Sequence, residues 1–158
     1  MVIHMRSRTT VLQWVLIGVV VAGLVVDAIV HLDLASAFSK NKTSVVSETD
    51  IFRTQSVVAL VAALALLARP RRYTAAFAFL VAASAFAAVV VYRYVNIGKI
   101  GPIPNMYDPY WAPVGKNLSA VAEVVAAVAA AALFVVLHGR SDNGTPRLQH
   151  RSDARLSR

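Results

Sequence analysis

Two side chains capable of acid–base chemistry lie one helical turn apart near the end of the first apolar segment. Asp27 and His31 are four residues apart, a spacing that places both on one face of an α-helix. A carboxylate beside an imidazole can bind a cation, hold a proton or form hydrogen bonds to a ligand. Because ionisable groups are costly to bury in an apolar segment, this pair marks a candidate site.

Further polar side chains lie at the corresponding depth of the other three apolar segments. They are Arg53 and Gln55 in the second, Arg93 in the third and Glu123 in the fourth. In an antiparallel bundle these residues would meet Asp27 and His31 at one end. We predict that Asp27 and Glu123 form ion pairs with the two arginines and that the imidazole completes the network.

This polar network has three interpretations. In the first, it only fastens the helix ends, while its long side chains reach toward water. In the second, it forms a pocket of an accessory or ligand-binding protein that recognises a small molecule or an envelope protein. In the third, Asp27 or Glu123 exchanges a proton in a proton-coupled small-molecule transporter. We rank transport below binding, because both acids lie near one end of their segments and have candidate arginine partners.

A membrane metal-binding protein or enzyme is a further alternative. The candidate ligands are Asp27, His31, Asp33 and Glu123, and one imidazole with three carboxylates suits zinc, manganese or iron. The arginines compete for the same carboxylates, and the spacing does not require a metal. The chain has no cysteine, which removes thiol catalysis and thiolate metal sites. We therefore predict no cofactor and expect a non-enzymatic role.

Long apolar segments must position these residues. The chain has 158 residues, of which 58% are hydrophobic and 15% charged, and a mean hydropathy of +0.61. A helix needs about 20 apolar residues to cross a bilayer. The spans are predicted at about residues 11–32, 51–68, 73–95 and 118–137. The sequence therefore predicts an all-α fold, a transmembrane up-down-up-down four-helix bundle formed by residues 1–140.

Basic residues predict the orientation and the partners. Three arginines around Pro70 indicate a short cytoplasmic turn, and the basic start and end place both termini in the cytoplasm. Residues 141–158 are predicted to be a disordered, basic cytoplasmic tail. The net charge of +8 is spread in short clusters beside the spans, which favours a lipid bilayer as partner and argues against nucleic acid. Homo-oligomerisation stays open.

The connection between the third and fourth spans is a candidate lid. Residues 96–116 contain four of the six prolines, which restrict the backbone. The predicted lid residues are Tyr107, Asp108, Tyr110 and Trp111. The aromatic rings either lie at the lipid headgroups or fold back over the helix ends.

Two stretches of sequence carry a family resemblance. Residues 105–111 read Asn-Met-Tyr-Asp-Pro-Tyr-Trp and lead through Lys116 into Ser-Ala-Val-Ala-Glu at 119–123, while residues 31–35 read His-Leu-Asp-Leu-Ala. In these stretches the chain resembles small four-span membrane proteins of actinobacteria. The resemblance covers about the four spans and excludes both tails. It implies a multi-pass protein of a bacterial plasma membrane and no particular activity.

Overall fold

Four α-helices form the computed structural model, which describes residues 3–111 and 114–142, with side chains described for 11–111 and 115–139. The helices are α1 (Ile3–Ala35), α2 (Glu48–Ala68), α3 (Arg72–Tyr94) and α4 (Val114–Asp142). All four are long and apolar enough to cross a membrane. The predicted all-α four-helix bundle is therefore confirmed. The predicted tail begins at residue 141, and its residues after Asp142 lie outside the part of the chain that the structure describes.

Three helices, α1, α2 and α4, extend past the predicted spans at one end of the bundle. We call this the loop end, where α1 and α3 end and α2 and α4 begin. Helix α2 begins at Glu48 and α4 at Val114, in each case several residues before the predicted span. Ser47 caps α2: its hydroxyl accepts from the Asp50 N–H, and the Asp50 carboxylate accepts from the Ser47 N–H. The extensions place Glu48 and Lys116 on helices at the loop end.

Helix α1 packs against both α2 and α4, and α4 in turn packs against α3. The approach of α1 to α4 is close at Gly23. A Cβ added there would lie 2.8 Å from Ala126 Cβ and 2.9 Å from the main-chain oxygen of Ala122. Small residues permit such close approach between membrane helices. The contact fixes the relative position of α1 and α4.

The two loops at the loop end are hydrogen-bonded to one another. The first loop comprises residues 36–47, and the second loop begins at residue 95. Thr43 Oγ1 donates to the main-chain oxygen of Pro102 at 2.7 Å. Asn41 Nδ2 lies 2.8 Å from the main-chain oxygen of Asn105 and 2.6 Å from a carboxylate oxygen of Glu48. These bonds hold the second loop against the ends of α1 and α2.

Candidate functional site

Two buried carboxylates meet between α1 and α4 near the loop end. Asp27 and Glu123 are both 0% exposed. The Ser119 hydroxyl lies 2.8 Å from Asp27 Oδ1 and 2.9 Å from Glu123 Oε1. Ser119 precedes Glu123 by one helical turn, so both side chains lie on the same face of α4. A single hydroxyl therefore bridges the two carboxylates. With His31, described next, these residues form what we call the carboxylate cluster.

The His31 imidazole has a defined orientation. Its Nδ1 lies 2.8 Å from Asp27 Oδ1 and 3.0 Å from the main-chain oxygen of Asp27. Because both oxygens are acceptors, Nδ1 carries a hydrogen. Among the described residues Nε2 has no hydrogen-bond partner, and the side chain is 12% exposed. Asp27 thus fixes the ring and leaves Nε2 available to a ligand.

Helix α2 supports the cluster from a third side. Gln55 Nε2 donates to Asp27 Oδ2 at 3.1 Å. The Phe52 ring meets the His31 ring edge to face, with centroids 5.2 Å apart and an angle of 89° between the planes. The amide and the aromatic ring therefore hold both members of the Asp27–His31 pair in place.

The hydrogen bonds within the carboxylate cluster leave one carboxylate oxygen without a partner. The Ser119 hydroxyl has one hydrogen, which cannot serve both of its carboxylate contacts at once. Glu123 Oε2 is buried and has no hydrogen-bond partner. Buried polar atoms without partners are rare in proteins and costly. A proton or a bound cation at Glu123 would complete the set of contacts.

A cavity of about 180 Å³ lies beside the cluster, lined by residues of all four helices and of both loops. His31, Gln55 and Ser119 form a polar patch on its wall, while Asp27 and Glu123 lie behind this patch. Most of the remaining wall area is apolar and is formed by Leu34, Phe38, Ile51, Phe52, Ala85, Ala88, Val89 and Met106. Glu48, Ser84, Tyr92, Asp108 and Lys116 add further polar groups to the wall. A mainly apolar cavity with a few convergent polar groups is typical of small-molecule sites.

The second loop closes one side of this cavity through Met106 and Asp108. Lys116 Nζ donates to Asp108 Oδ2 at 2.9 Å, to the Asp108 main-chain oxygen at 3.1 Å and to the Tyr110 main-chain oxygen at 3.2 Å. The Asp108 N–H donates to the main-chain oxygen of Tyr92 at 3.1 Å. One lysine therefore ties the loop to the start of α4, while a main-chain bond ties it to the end of α3.

The aromatic residues of the predicted lid lie away from the cavity. Tyr107 is 37% exposed and Tyr110 is 69% exposed. Trp111 instead lines a separate shallow groove between α3 and α4. Of the four predicted lid residues, Asp108 is the one that lines the cavity. Asp108 makes the hydrogen bonds that tie this part of the loop to α3 and α4.

The predicted ion pairs of the two arginines are not formed. Arg53 is exposed on α2. The Arg93 guanidinium lies over the rings of Tyr94 and Trp111, at 5.1 and 5.5 Å from their centroids. Among the side chains that the structure describes, the ion pairs join His31 to Asp27 and Lys116 to Asp108. Arg53 therefore lies at the surface of the bundle, whereas Arg93 lies against aromatic rings with its Nε buried and without a hydrogen-bond partner among the described residues.

Asp33 also lies apart from the cluster. Its side chain is exposed, whereas Asp27, His31 and Glu123 each place a potential metal-ligand atom within 4.8 Å of the others. Of the four candidate metal ligands predicted from the sequence, the structure therefore brings three together: Asp27, His31 and Glu123. Asp33 follows Asp27 by six residues, so it lies on a different face of α1.

Several site residues were absent from the predicted network: Phe38, Phe52, Tyr92, Met106, Lys116 and Ser119. Ser119 precedes Glu123 by four residues, the same spacing that relates Asp27 to His31. That spacing was a usable signal. The aromatic residues gave no such signal, because an aromatic residue in a membrane helix faces lipid as readily as a cavity.

Comparison with known protein families, curated proteins and solved structures finds no match to this chain. The chemistry of the site therefore rests on its own geometry. That geometry combines an imidazole with a fixed hydrogen, two buried carboxylates and an adjoining, mainly apolar cavity.

Proposed function

We propose that this protein is a membrane-embedded binding protein that holds a small, mainly apolar molecule in the cavity. The observation that carries the proposal is the orientation of His31. Asp27 accepts the Nδ1 hydrogen, so Nε2 is left for a ligand beside a cavity with apolar walls. A few placed polar groups in an apolar cavity select the orientation of a ligand.

The chemistry of the cavity indicates the class of ligand. In the neutral imidazole, Nε2 is a hydrogen-bond acceptor, which suits a ligand that donates one O–H. The aromatic ring of Phe52 and the side chain of Met106 offer apolar contacts to the rest of the molecule. A phenol or alcohol with an apolar body combines both properties and would partition into the bilayer before it binds.

In this proposal the loop end faces the outside of a plasma membrane, as the basic residues at the opposite end favour. A ligand held there, beneath an ordered loop, could be presented to an envelope protein. The chain would then act as an accessory protein that needs no catalytic group of its own.

The packing below the cluster supports binding more than transport. Ile17, Leu24, Leu66 and Leu133 are at most 1% exposed and fill the core of the bundle. A transporter must open a second route to its site from the opposite side of the membrane. Proton-linked release of the ligand from proteoliposomes would nevertheless favour the transport alternative.

Calorimetric titration of the full chain in nanodiscs tests the proposal. The ligand probe is a 4-alkylphenol, and the matched probe is the alkylbenzene of the same chain length, which lacks the hydroxyl. Empty nanodiscs correct for partitioning into lipid. We expect the phenol to bind about tenfold more tightly than the alkylbenzene, as one hydrogen bond allows.

Two variants locate the binding. His31→Phe keeps an aromatic ring but lacks Nε2, and it should remove the preference for the phenol. His138→Gln changes a histidine near the opposite end of α4 and should keep that preference. Equal affinity for both probes in the unmodified protein, or an unchanged preference in His31→Phe, would contradict the proposal.

A further inference from the structure

We propose that Asp27, His31 and Glu123 form a binding site for one divalent transition-metal cation. Their potential ligand atoms lie within 4.8 Å of one another, close enough for a single ion to contact all three. An independent observation points to the same place: Glu123 is 0% exposed, and its Oε2 has no hydrogen-bond partner. The metal does not require the phenol, but the two proposed sites share His31, and a metal bound at Nδ1 would change Nε2 from a hydrogen-bond acceptor into a donor.

Charge balance favours a divalent cation at this position. Two carboxylates are buried in an apolar bundle, and the arginines expected to neutralise them lie elsewhere. The imidazole of His31 can balance one negative charge at most. A divalent cation with two carboxylates and a neutral imidazole brings the site to zero net charge. Burial in a low-dielectric medium strongly favours such neutrality.

The donor set narrows the class of metal. One imidazole nitrogen and carboxylate oxygens suit manganese, iron or zinc. Gln55 and Ser119 contact the carboxylates from outside this set and would orient them as supporting groups. Because Nδ1 faces the carboxylates, metal binding there transfers the imidazole hydrogen from Nδ1 to Nε2. The polar patch of the cavity then donates a hydrogen bond instead of accepting one.

Metal binding is measured on the full chain, purified without a histidine tag and dialysed against Mn²⁺, with elemental analysis for stoichiometry. We expect one Mn²⁺ per chain. Loss of a group that only supports a metal ligand typically weakens metal affinity by about 10- to 100-fold. Asp27→Asn and Glu123→Gln should each weaken Mn²⁺ affinity by more than this. The matched control is Asp33→Asn, which removes an exposed carboxylate from α1 and should leave the stoichiometry unchanged.

Spectroscopy covers the case in which a carboxylate variant does not fold. Pulsed electron paramagnetic resonance of Mn²⁺ bound to the unmodified protein should show coupling to one imidazole nitrogen. That coupling should be absent in His31→Gln, whose folding is checked by circular dichroism. Bound Mn²⁺ without nitrogen coupling would place the ion elsewhere and overturn the proposal.

Two further outcomes would also overturn it. One is a folded, unmodified protein that retains neither Mn²⁺ nor Zn²⁺ after dialysis, which would mean that a proton completes the cluster. The other is full binding in a folded Glu123→Gln variant. Phenol binding is measured separately, so loss of the metal site with the phenol preference intact would leave the proposed function standing.

Discussion

The Ser119 hydroxyl lies 2.8 Å from Asp27 Oδ1, although the two residues are 92 positions apart in the sequence. This contact joins the last helix to the first at the level of the cavity. It places a hydrogen-bond donor within reach of both the Asp27 and the Glu123 carboxylates. The stability of the α1–α4 pair and the geometry of the candidate site therefore depend on the same side chain.

Ser119→Ala should lower the free energy of unfolding. The variant removes the bridging hydroxyl and leaves buried carboxylate oxygens without that partner, at a cost of about 1–3 kcal/mol. The measurement is reversible unfolding in mixed micelles with increasing denaturing detergent, followed by far-ultraviolet circular dichroism. Ser84→Ala is the matched control, because the Ser84 hydroxyl donates within its own helix to the main-chain oxygen of Val81. Equal destabilisation by both variants would contradict a specific role for Ser119.

Gly23→Ala should separate α1 from α4. The new methyl group would lie 2.8 Å from Ala126 Cβ, too close for an undisturbed contact, and overpacking of this kind costs about 1–3 kcal/mol. Gly18→Ala is the control on the same helix, since a Cβ there meets nothing within 4 Å. Alanine favours helix over glycine, so Gly18→Ala should be neutral or stabilising by up to about 1 kcal/mol. The same unfolding assay compares them, and a stable Gly23→Ala variant would show that the helices can separate at little cost.

Arg53→Gln should leave the bundle intact. The Arg53 side chain is exposed, and exposed substitutions usually change stability by less than about 0.5 kcal/mol. Asp27→Ala should instead cost about 3–5 kcal/mol, because it removes one partner of a buried pair. Thermal unfolding in detergent measures both effects. A loss of stability in Arg53→Gln as large as that in Asp27→Ala would restore the ion-pair interpretation.

Lys116→Met should loosen the second loop. The substitution removes three donor contacts of the ammonium group to Asp108 and Tyr110, worth about 1–2 kcal/mol for a partly exposed charged hydrogen-bond network. Hydrogen exchange followed by mass spectrometry should then show faster exchange of the amides in residues 95–111. Lys99→Met changes an exposed lysine of the same loop and should exchange like the unmodified protein. Unchanged exchange in Lys116→Met would mean that the loop bonds to α3 and to the first loop are sufficient.

The fold could be predicted from the sequence because four apolar segments of sufficient length leave a membrane protein few arrangements. The depth of the polar residues was also readable, and Asp27, His31, Gln55 and Glu123 do lie at one level near the loop end. The end of α2 at Ala68 agrees with the predicted span and α3 differs by one residue at each end, whereas α1, α4 and the start of α2 extend beyond the predicted spans. Helices continue into polar sequence where caps or loop contacts stabilise their ends.

The partners within the site could not be predicted, because hydropathy gives the depth of a side chain and not the direction in which its helix is turned. Arg53 lies near the start of α2 at the expected depth, yet its side chain is exposed. Gln55, two residues later, instead reaches Asp27. Neighbouring positions on a helix are separated by a rotation of about 100°. An error in the assumed rotation of a helix about its axis therefore replaces one predicted partner with another.

The bridge between Asp27 and Ser119 has a consequence for the biosynthesis of the chain. Asp27 enters the membrane with the first helix to be synthesised, whereas Ser119 and Glu123 arrive with the last. Until then the Asp27 carboxylate has only the partners supplied by α1 and α2. A chain that stalls before α4 therefore lacks the Ser119 donor to Asp27 and leaves a buried charge in lipid less completely satisfied than in the finished bundle.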